Sequence, residues 1–91
     1  MTRAPRKRYS VKPTWRSPAR DAPGVAAAAE RLGKRVRALR KAKGLTQEQA
    51  AERGKLDPKH WQDLEAGRTN PTVATLVGIA RGVGVKLAEL F

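Results

Sequence analysis

The only histidine of the chain, His60, lies in the stretch LDPKHWQDLE with the carboxylates Asp57, Asp63 and Glu65. A histidine among carboxylates could serve as a general acid–base pair or a metal site. The spacing argues against both, because Asp57 suits a helix N-cap and the other two carboxylates fall on different faces of the following helix. The chain has no cysteine, which excludes thiolate chemistry. We predict no enzymatic activity, cofactor or metal, and interpret His60 as a surface residue that could lie near a phosphate.

The helix that contains these residues is predicted over 58–66 and is amphipathic. At about 100° per residue, Trp61 and Leu64 share one side of it, whereas Lys59 and Asp63 lie on the opposite side. This pattern predicts one buried stripe and one polar face that is free to contact something outside the domain.

A shorter helix is predicted just before it. Thr46 suits the N-cap of this helix, and Gln49 follows three residues later, as a capping box requires. After the tight turn GKLD, Asp57 caps the next helix and Pro58 takes its first position, where a missing N–H costs nothing. Two short helices at this spacing predict a helix-turn-helix unit over 46–66, whose second helix enters a DNA major groove.

Three further helices complete the predicted domain, residues 25–91. VAAAAERLGKRVRALRKAKG suits a long helix with Leu32 and Val36 on one face, and TNPTVATLVGIARGVG begins another after a cap at Asn70 or Thr72. VKLAELF is expected to add a last short turn of helix. Because no strand pattern is convincing, the predicted fold is a compact, all-α domain of five helices.

Residues 1–24 differ from this domain, since they are basic, rich in proline and without helical or strand periodicity. We predict a disordered or loosely ordered arm. The arm could follow a phosphate backbone or enter a minor groove, or it could simply aid solubility.

The whole chain has 20 Lys+Arg against 8 Asp+Glu, which gives a formal net charge of +12. Such a charge favours polyanionic partners through electrostatic steering and counterion release. Nucleic acid is the expected partner, and an anionic membrane surface is the weaker alternative. No apolar run approaches the roughly 20 residues of a membrane span. We therefore expect a cytoplasmic protein without a membrane partner, associated with the nucleoid when bound to DNA.

From Leu32 to Phe91 the sequence resembles the Xre, or lambda-repressor-like (Cro/C1-type), helix-turn-helix family. The motifs that carry the resemblance are LR with GLTQEQAAER, then LEAGRTNPT, then GVKLAELF. The resemblance implies a compact five-helix bundle that binds double-stranded DNA. It further implies a transcriptional regulator, usually a repressor, that binds a palindromic operator as a homodimer.

The resemblance also implies roles for individual residues. The positions that usually face or flank base edges hold Pro58, Lys59, Gln62 and Asp63. Phosphate contacts are implied for Gln47, Arg68, Thr69 and Asn70, and the DNA-binding interpretation adds a basic residue of the first helix, such as Arg35 or Arg37. Arg40 and Glu65 match positions that in some members form an internal ion pair, although both could instead be solvated.

Some positions leave alternatives open or depart from the family pattern. Asp63 could accept a hydrogen bond from a cytosine amino group, or it could pair with Lys59 four residues earlier. Lys55 lies in the turn where the family often has glycine. Trp61 replaces a branched aliphatic residue and is expected to fill the volume that Ala50 leaves.

A second class of function also fits the sequence. Some proteins with this fold bind a partner protein, as antitoxins or anti-activators do, with little or no specific DNA binding. The apolar residues near the C-terminus are compatible with that function, namely Leu87, Leu90 and Phe91. The large positive charge is not what protein recognition requires, so DNA binding is the preferred interpretation.

Overall fold

The computed structural model describes residues 22–91, so the predicted arm, except for its last three residues, lies outside the described part of the chain. The described residues form four α-helices and one 3₁₀ helix, without strands: α1 Val25–Ala42, α2 Gln47–Gly54, α3 Pro58–Glu65, α4 Val73–Val83 and the 3₁₀ helix Leu87–Leu90. The all-α prediction is confirmed. The number of five helices needs a small correction, because the last element is a four-residue 3₁₀ helix and not an α-helix.

Local capping explains where α2 and α3 begin. At α2, Thr46 Oγ1 accepts from the backbone N–H of Gln49 at 3.0 Å, and Gln49 Oε1 accepts from the backbone N–H of Thr46 at 2.9 Å. At α3, Asp57 Oδ1 accepts from the backbone N–H of Lys59 at 2.8 Å, and Pro58 takes the first helical position. These bonds satisfy amide groups that a helix start would otherwise leave unpaired.

The start of α4 shows which of the two predicted caps, Asn70 or Thr72, is used. Thr72 Oγ1 accepts from the backbone N–H of Thr75 at 3.2 Å, so Thr72 is the N-cap. Asn70 instead lies exposed in the loop between α3 and α4.

The core forms around Trp61, whose side chain is completely buried. A Cβ atom placed on Gly82 of α4 would lie 2.7 Å from the Trp61 ring and 2.5 Å from the carbonyl oxygen of Ala50. The small residues at these two positions therefore let α2, α3 and α4 approach closely around one large ring. Six large side chains are fully buried: Trp61, Leu64, Ile79, Leu90, Val36 and Val83.

The turn between α2 and α3 contains a residue, Lys55, that has a left-handed backbone conformation although it is not glycine. Lys55 has φ 57° and ψ 45° and is the only non-glycine residue with positive φ in the described part of the chain. Its backbone N–H donates to the carbonyl of Glu52 at 3.1 Å, and the next N–H, of Leu56, donates to the carbonyl of Ala51 at 2.8 Å. This left-handed conformation costs roughly 1–2 kcal/mol for a residue with a Cβ atom. The backbone of the turn is therefore strained at Lys55.

The orientation of α3 is fixed by a close crossing with α1. A Cβ atom on Gly33 would lie 2.6 Å from the carbonyl oxygens of both Leu64 and Glu65. Real Cβ atoms do not approach carbonyl oxygens so closely, hence α1 rests directly on the C-terminal turn of α3. This contact brings Arg40, about two helical turns further along α1, next to the end of α3.

Candidate nucleic-acid interface

The inner side of α3 ends in a buried carboxylate, Glu65, that accepts four hydrogen bonds. Arg40 donates from Nε at 2.6 Å and from Nη2 at 2.9 Å, which makes a bidentate ion pair. Gln47 Nε2 donates at 2.9 Å and Trp61 Nε1 donates at 2.7 Å. The side chains of Glu65 and Arg40 are only 4% and 10% exposed. These four residues, here called the Glu65 cluster, tie α1, α2 and α3 together.

The hydrogen bonds determine the protonation state of Glu65. Burial is the largest single influence and by itself would raise the pKa of this carboxyl. The hydrogen bonds from Arg40, Gln47 and Trp61 together outweigh burial and leave the pKa below its ordinary value of 4.5. Glu65 is therefore ionised at neutral pH, and the buried Arg40 guanidinium has its counter-ion.

Gln47 supports α3 through its hydrogen bond to Glu65. Gln47 begins α2 and is half-buried, with one N–H of its amide donated to Glu65. A side-chain amide has a second N–H, which is the group that could donate to a phosphate. The structure thus shows the support of α3, whereas the phosphate contact stays a prediction.

The outer side of α3 presents a second charged group, made of Lys59, Asp63 and Arg68. Lys59 Nζ lies 3.3 and 3.2 Å from the two carboxylate oxygens of Asp63, and Arg68 Nη2 donates to Asp63 Oδ1 at 3.0 Å. The cations are exposed, 74% for Lys59 and 65% for Arg68, whereas Asp63 is 27% exposed. Of the two alternatives for Asp63, the structure shows the pairing with Lys59.

The two cations also affect the protonation of Asp63. The hydrogen bond from Arg68, followed by that from Lys59, lowers the pKa of this carboxyl from its ordinary value of 3.8. Asp63 is consequently charged at neutral pH. The Lys59–Asp63–Arg68 group, here called the outer triad, has a net charge of one positive unit instead of two.

The other predicted contact residues lie at or beside this face. Pro58 and Gln62 are exposed on α3, at its first position and one residue before Asp63. Thr69 is half-buried and Asn70 exposed in the following loop, where both line a groove with the first turns of α1. No hydrogen bond links Gln62 to another described side chain, so its amide is available for an external partner.

Arg35 and Arg37 do not share a side of α1. They are two positions apart, about 200° around the helix, on opposite flanks of the buried Val36. Arg35 Nε donates to the carbonyl oxygen of Glu89 at 3.0 Å, so Arg35 joins α1 to the C-terminal 3₁₀ helix. Arg37 lies on the flank nearer Arg40 and hence nearer α3. Of the two, Arg37 is better placed to contact a phosphate beside α3.

The cluster around His60 does not come together as a site. His60 is half-buried on α3, and Asp57 is engaged as the helix cap. Residues 22–91 contain no group of three His, Asp or Glu side chains arranged to hold a metal ion. Within the same residues, no helix combines the length and the apolar character needed to cross a membrane.

Two contacts of the site were missed by sequence reasoning. The Trp61 indole donates to Glu65 four residues later, a spacing that puts both side chains on one helical face and could have been recognised. Arg68 reaches Asp63 across the end of α3, where Gly67 turns the chain with φ 74°. No periodicity predicts that second contact, because it depends on the turn.

Comparison with known sequences places this geometry in a family. A sequence pattern described as a helix-turn-helix domain matches residues 31–90. The chain is 42% identical over 59 residues to the uncharacterized HTH-type transcriptional regulator y4dJ of Sinorhizobium fredii, covering 65% of this chain and 77% of that protein. It is 36% identical over 59 residues to the immunity repressor protein of Bacillus phage phi105, covering 65% of this chain but only 41% of the phage protein.

A solved structure shows the same fold. The restriction-modification controller protein C.AhdI from Aeromonas hydrophila superposes with a TM-score of 0.69 and 34% sequence identity, covering 71% of this chain and 98% of that one. The matched region includes the helix-turn-helix and the residues of the Glu65 cluster, which lie within residues 31–90. The chain belongs to the Xre-like, or lambda-repressor-like, helix-turn-helix family.

Proposed function

We propose that this chain is a transcriptional regulator that binds double-stranded DNA sequence-specifically through α3. It acts by binding and not by catalysis, as a homodimer that represses transcription from a palindromic operator, in the cytoplasm and on the nucleoid. The observation that carries this proposal is the division of α3. Its inner side is fixed by the buried Glu65 cluster, whereas Lys59, Gln62 and Arg68 are exposed on or beside its outer side. The names of the relatives, a repressor, a transcriptional regulator and a controller protein, support the same function.

In this proposal α3 lies in the major groove and reads base edges. Lys59 donates to a guanine, and the Gln62 amide can donate to and accept from an adenine. Pro58 has no donor and contributes an apolar contact, for which a thymine methyl group is the matching partner. Asp63 can accept from a cytosine amino group only if it gives up part of its contacts with Lys59 and Arg68.

Phosphate contacts fix the position of the domain on the duplex and contribute most of the affinity. We assign them to Arg37 or Arg35 of α1 and to four residues at the ends of α2 and α3: Gln47, Arg68, Thr69 and Asn70. If a dimer neutralises about 8 phosphates, the logarithm of its affinity falls with the logarithm of salt concentration with a slope near −7. A slope near zero would contradict DNA binding by this face.

The dimer places two copies of α3 about 34 Å apart, one turn of DNA, on a two-fold symmetric site. Apolar side chains on the surface are candidates for the contact between subunits, since Val73 is 70% and Phe91 77% exposed. Binding over a promoter then excludes the polymerase.

The direct test is selection of bound sequences from a random pool of duplex DNA. Enrichment of a palindromic motif with half-sites one helical turn apart is the expected result. Enrichment of a single half-site would support DNA binding but contradict the dimer. A pool that remains random would contradict sequence-specific binding.

A single substitution tests whether α3 is the reading element. Replacing Lys59 with Ala should relax specificity at one base pair by about 1–3 kcal/mol and leave the rest of the motif unchanged. An equal loss of affinity for all sequences would instead make Lys59 a phosphate contact.

A protein-binding regulator is the second candidate, and one feature favours it. A groove of about 560 Å³ lies between the start of α1 and the C-terminal residues, with mainly apolar side chains such as Val25, Leu76 and Phe91 on its walls. If the pool selection gives no motif and the affinity for DNA does not depend on sequence, this groove is the surface that remains to be explained.

A further inference from the structure

The outer triad places an acidic side chain, Asp63, at the centre of the proposed DNA-binding surface. Asp63 lies between Lys59 and Arg68 and forms hydrogen bonds with both. By comparison, the exposed ion pair between Lys34 and Glu30 on α1 is longer, at 3.8 Å, and involves a single cation. Of the acidic residues in the described part of the chain, Asp63 alone holds two exposed cations, and it does so on the proposed DNA-binding face.

The overall positive charge of the chain makes nonspecific DNA binding a competitor of operator binding. A protein with a net charge of +12 attracts any DNA duplex, and nonspecific sites compete with the operator. A carboxylate at the centre of the face repels phosphates and occupies two cations that would otherwise contact them. Phosphates of any duplex can accept hydrogen bonds from Lys59 and Arg68, but only a duplex with a suitable base edge, such as a cytosine amino group, can offer Asp63 a donor in exchange. Specificity obtained by penalising the wrong partner is a recognised strategy in binding proteins.

We propose that Asp63 is a specificity-determining residue, which lowers the affinity for nonspecific DNA by holding Lys59 and Arg68 away from phosphates. The inference rests on the proposed function, because it assumes that the outer side of α3 meets DNA. It differs from base reading by Asp63, since it predicts that losing the carboxylate increases binding to nonspecific DNA.

The test compares the wild-type chain with Asp63→Asn on a duplex of random sequence over a series of salt concentrations. Asn is close to Asp in size, removes the negative charge and replaces one acceptor oxygen with an NH₂ donor. Each cation released to a phosphate should steepen the log–log salt slope by about 0.9, which corresponds to roughly tenfold tighter binding at 0.1 M salt. We therefore expect the slope to steepen by about one to two units and the motif enriched by pool selection to weaken.

Glu52→Gln is the matched control, because Glu52 is an exposed acid on α2 whose side chain forms no ion pair among residues 22–91. It changes the net charge by the same amount without touching the outer triad. If Asp63→Asn increased nonspecific binding no more than Glu52→Gln, net charge alone would explain the effect and the inference would be wrong. A variant with unchanged or weaker nonspecific binding would also overturn it.

A double substitution gives a second, independent measurement. Arg68→Gln should cost more nonspecific affinity in the Asp63→Asn background than in the wild-type chain, because in the wild-type chain Asp63 competes with phosphate for Arg68. Equal costs in both backgrounds would contradict the inference. If the wild-type chain bound random duplex DNA but Asp63→Asn changed nothing, the proposed function would survive without this inference. If neither chain bound DNA, both would fall.

Discussion

The two sides of α3 use the same kinds of side chain in opposite ways. On the inner side, Glu65 and Arg40 are almost completely buried and bound to each other, to Gln47 and to Trp61. On the outer side, the cations of the outer triad are mostly exposed and share one partly exposed carboxylate. Breaking the inner ion pair should cost the fold much more than breaking the outer pairs, because it leaves a buried charge without a partner, whereas solvent screens exposed charges. The inner side therefore determines where α3 lies, and in our proposal the outer side determines what α3 contacts.

This difference separates stability from recognition within a helix of eight residues. Consecutive residues such as Trp61 and Gln62 belong to different sides and should respond independently to substitution. If the separation is real, changes on the inner side alter folding and therefore all binding. Changes on the outer side alter the choice of DNA without altering the fold.

The largest expected effect follows from breaking the Glu65 cluster. Glu65→Gln leaves the Arg40 guanidinium buried without a counter-ion, and removing one partner of a buried pair costs about 3–5 kcal/mol of unfolding free energy. Since small domains are stable by roughly 5–15 kcal/mol, much of the stability should be lost. Urea denaturation at neutral pH measures the change.

Glu52→Gln is again the control for that measurement, because Glu52 is exposed and its loss should change the unfolding free energy by less than about 0.5 kcal/mol. If the midpoints of the two variants coincided, the Glu65 cluster would not be what holds α1, α2 and α3 together.

The second largest loss of stability is expected from a substitution where α1 crosses α3. In Gly33→Ala, the new methyl group would lie 2.6 Å from two backbone carbonyl oxygens, and neither can move without shifting α3. Overpacking of this kind costs about 1–3 kcal/mol, of which alanine's helix propensity returns up to about 1 kcal/mol. Thermal unfolding should show a clear loss of stability. Lys34→Ala, at the adjacent exposed position, should show almost none.

The pH dependence of stability tests the inner side of α3 through the ionisation of Glu65. The pKa of Glu65 is lower in the folded protein than its ordinary value of 4.5. A carboxyl of this kind stabilises the fold above the unfolded pKa, and that stabilisation is lost as the pH falls through the folded pKa. The unfolding free energy should therefore fall steadily as the pH drops below about 4.5. Repeating the titration with Glu65→Gln should give a flatter curve, and an unchanged curve would assign the acid sensitivity to other carboxyls.

The sequence predicted most of the fold because the relevant signals are local. The capping residues Thr46 and Asp57 and the proline after Asp57 indicated where α2 and α3 begin. The helical period likewise separated Trp61 and Leu64 from the polar side of α3. The nature of the last element was less predictable, since a single short turn offers no periodicity to distinguish a 3₁₀ helix from an α-helix.

The candidate site was predicted less completely, for a physical reason. Side chains were assigned to faces correctly, but their partners depend on turns and on distant segments. Arg35 bonds to a carbonyl 54 residues away, and Arg68 reaches Asp63 only because the chain reverses at Gly67. Helical spacing alone contains neither piece of information.

The strained turn before α3 predicts a smaller gain of stability. Lys55 has a left-handed conformation, with φ 57°, which glycine adopts without steric cost. Lys55→Gly should therefore stabilise the fold by up to about 1 kcal/mol, the entropy lost by glycine offsetting part of the relief. The measurement is the urea midpoint. A destabilised variant would show that the exposed lysine side chain contributes more than the strain costs.

The smallest expected effect on stability belongs to the outer side. Gln62 is exposed and has no hydrogen-bond partner among the described side chains, so Gln62→Ala should change the unfolding free energy by less than about 0.5 kcal/mol. The same substitution removes an amide that faces the proposed DNA, and it should relax the preference at one base pair by about 1–3 kcal/mol. Trp61→Phe, one residue earlier, should have the opposite pattern, with a loss of stability and no change in sequence preference. It removes a hydrogen bond to Glu65 and part of a buried ring, so it should lower stability while the enriched motif stays the same. If both variants altered stability and sequence preference together, the two sides of α3 could not be treated as independent.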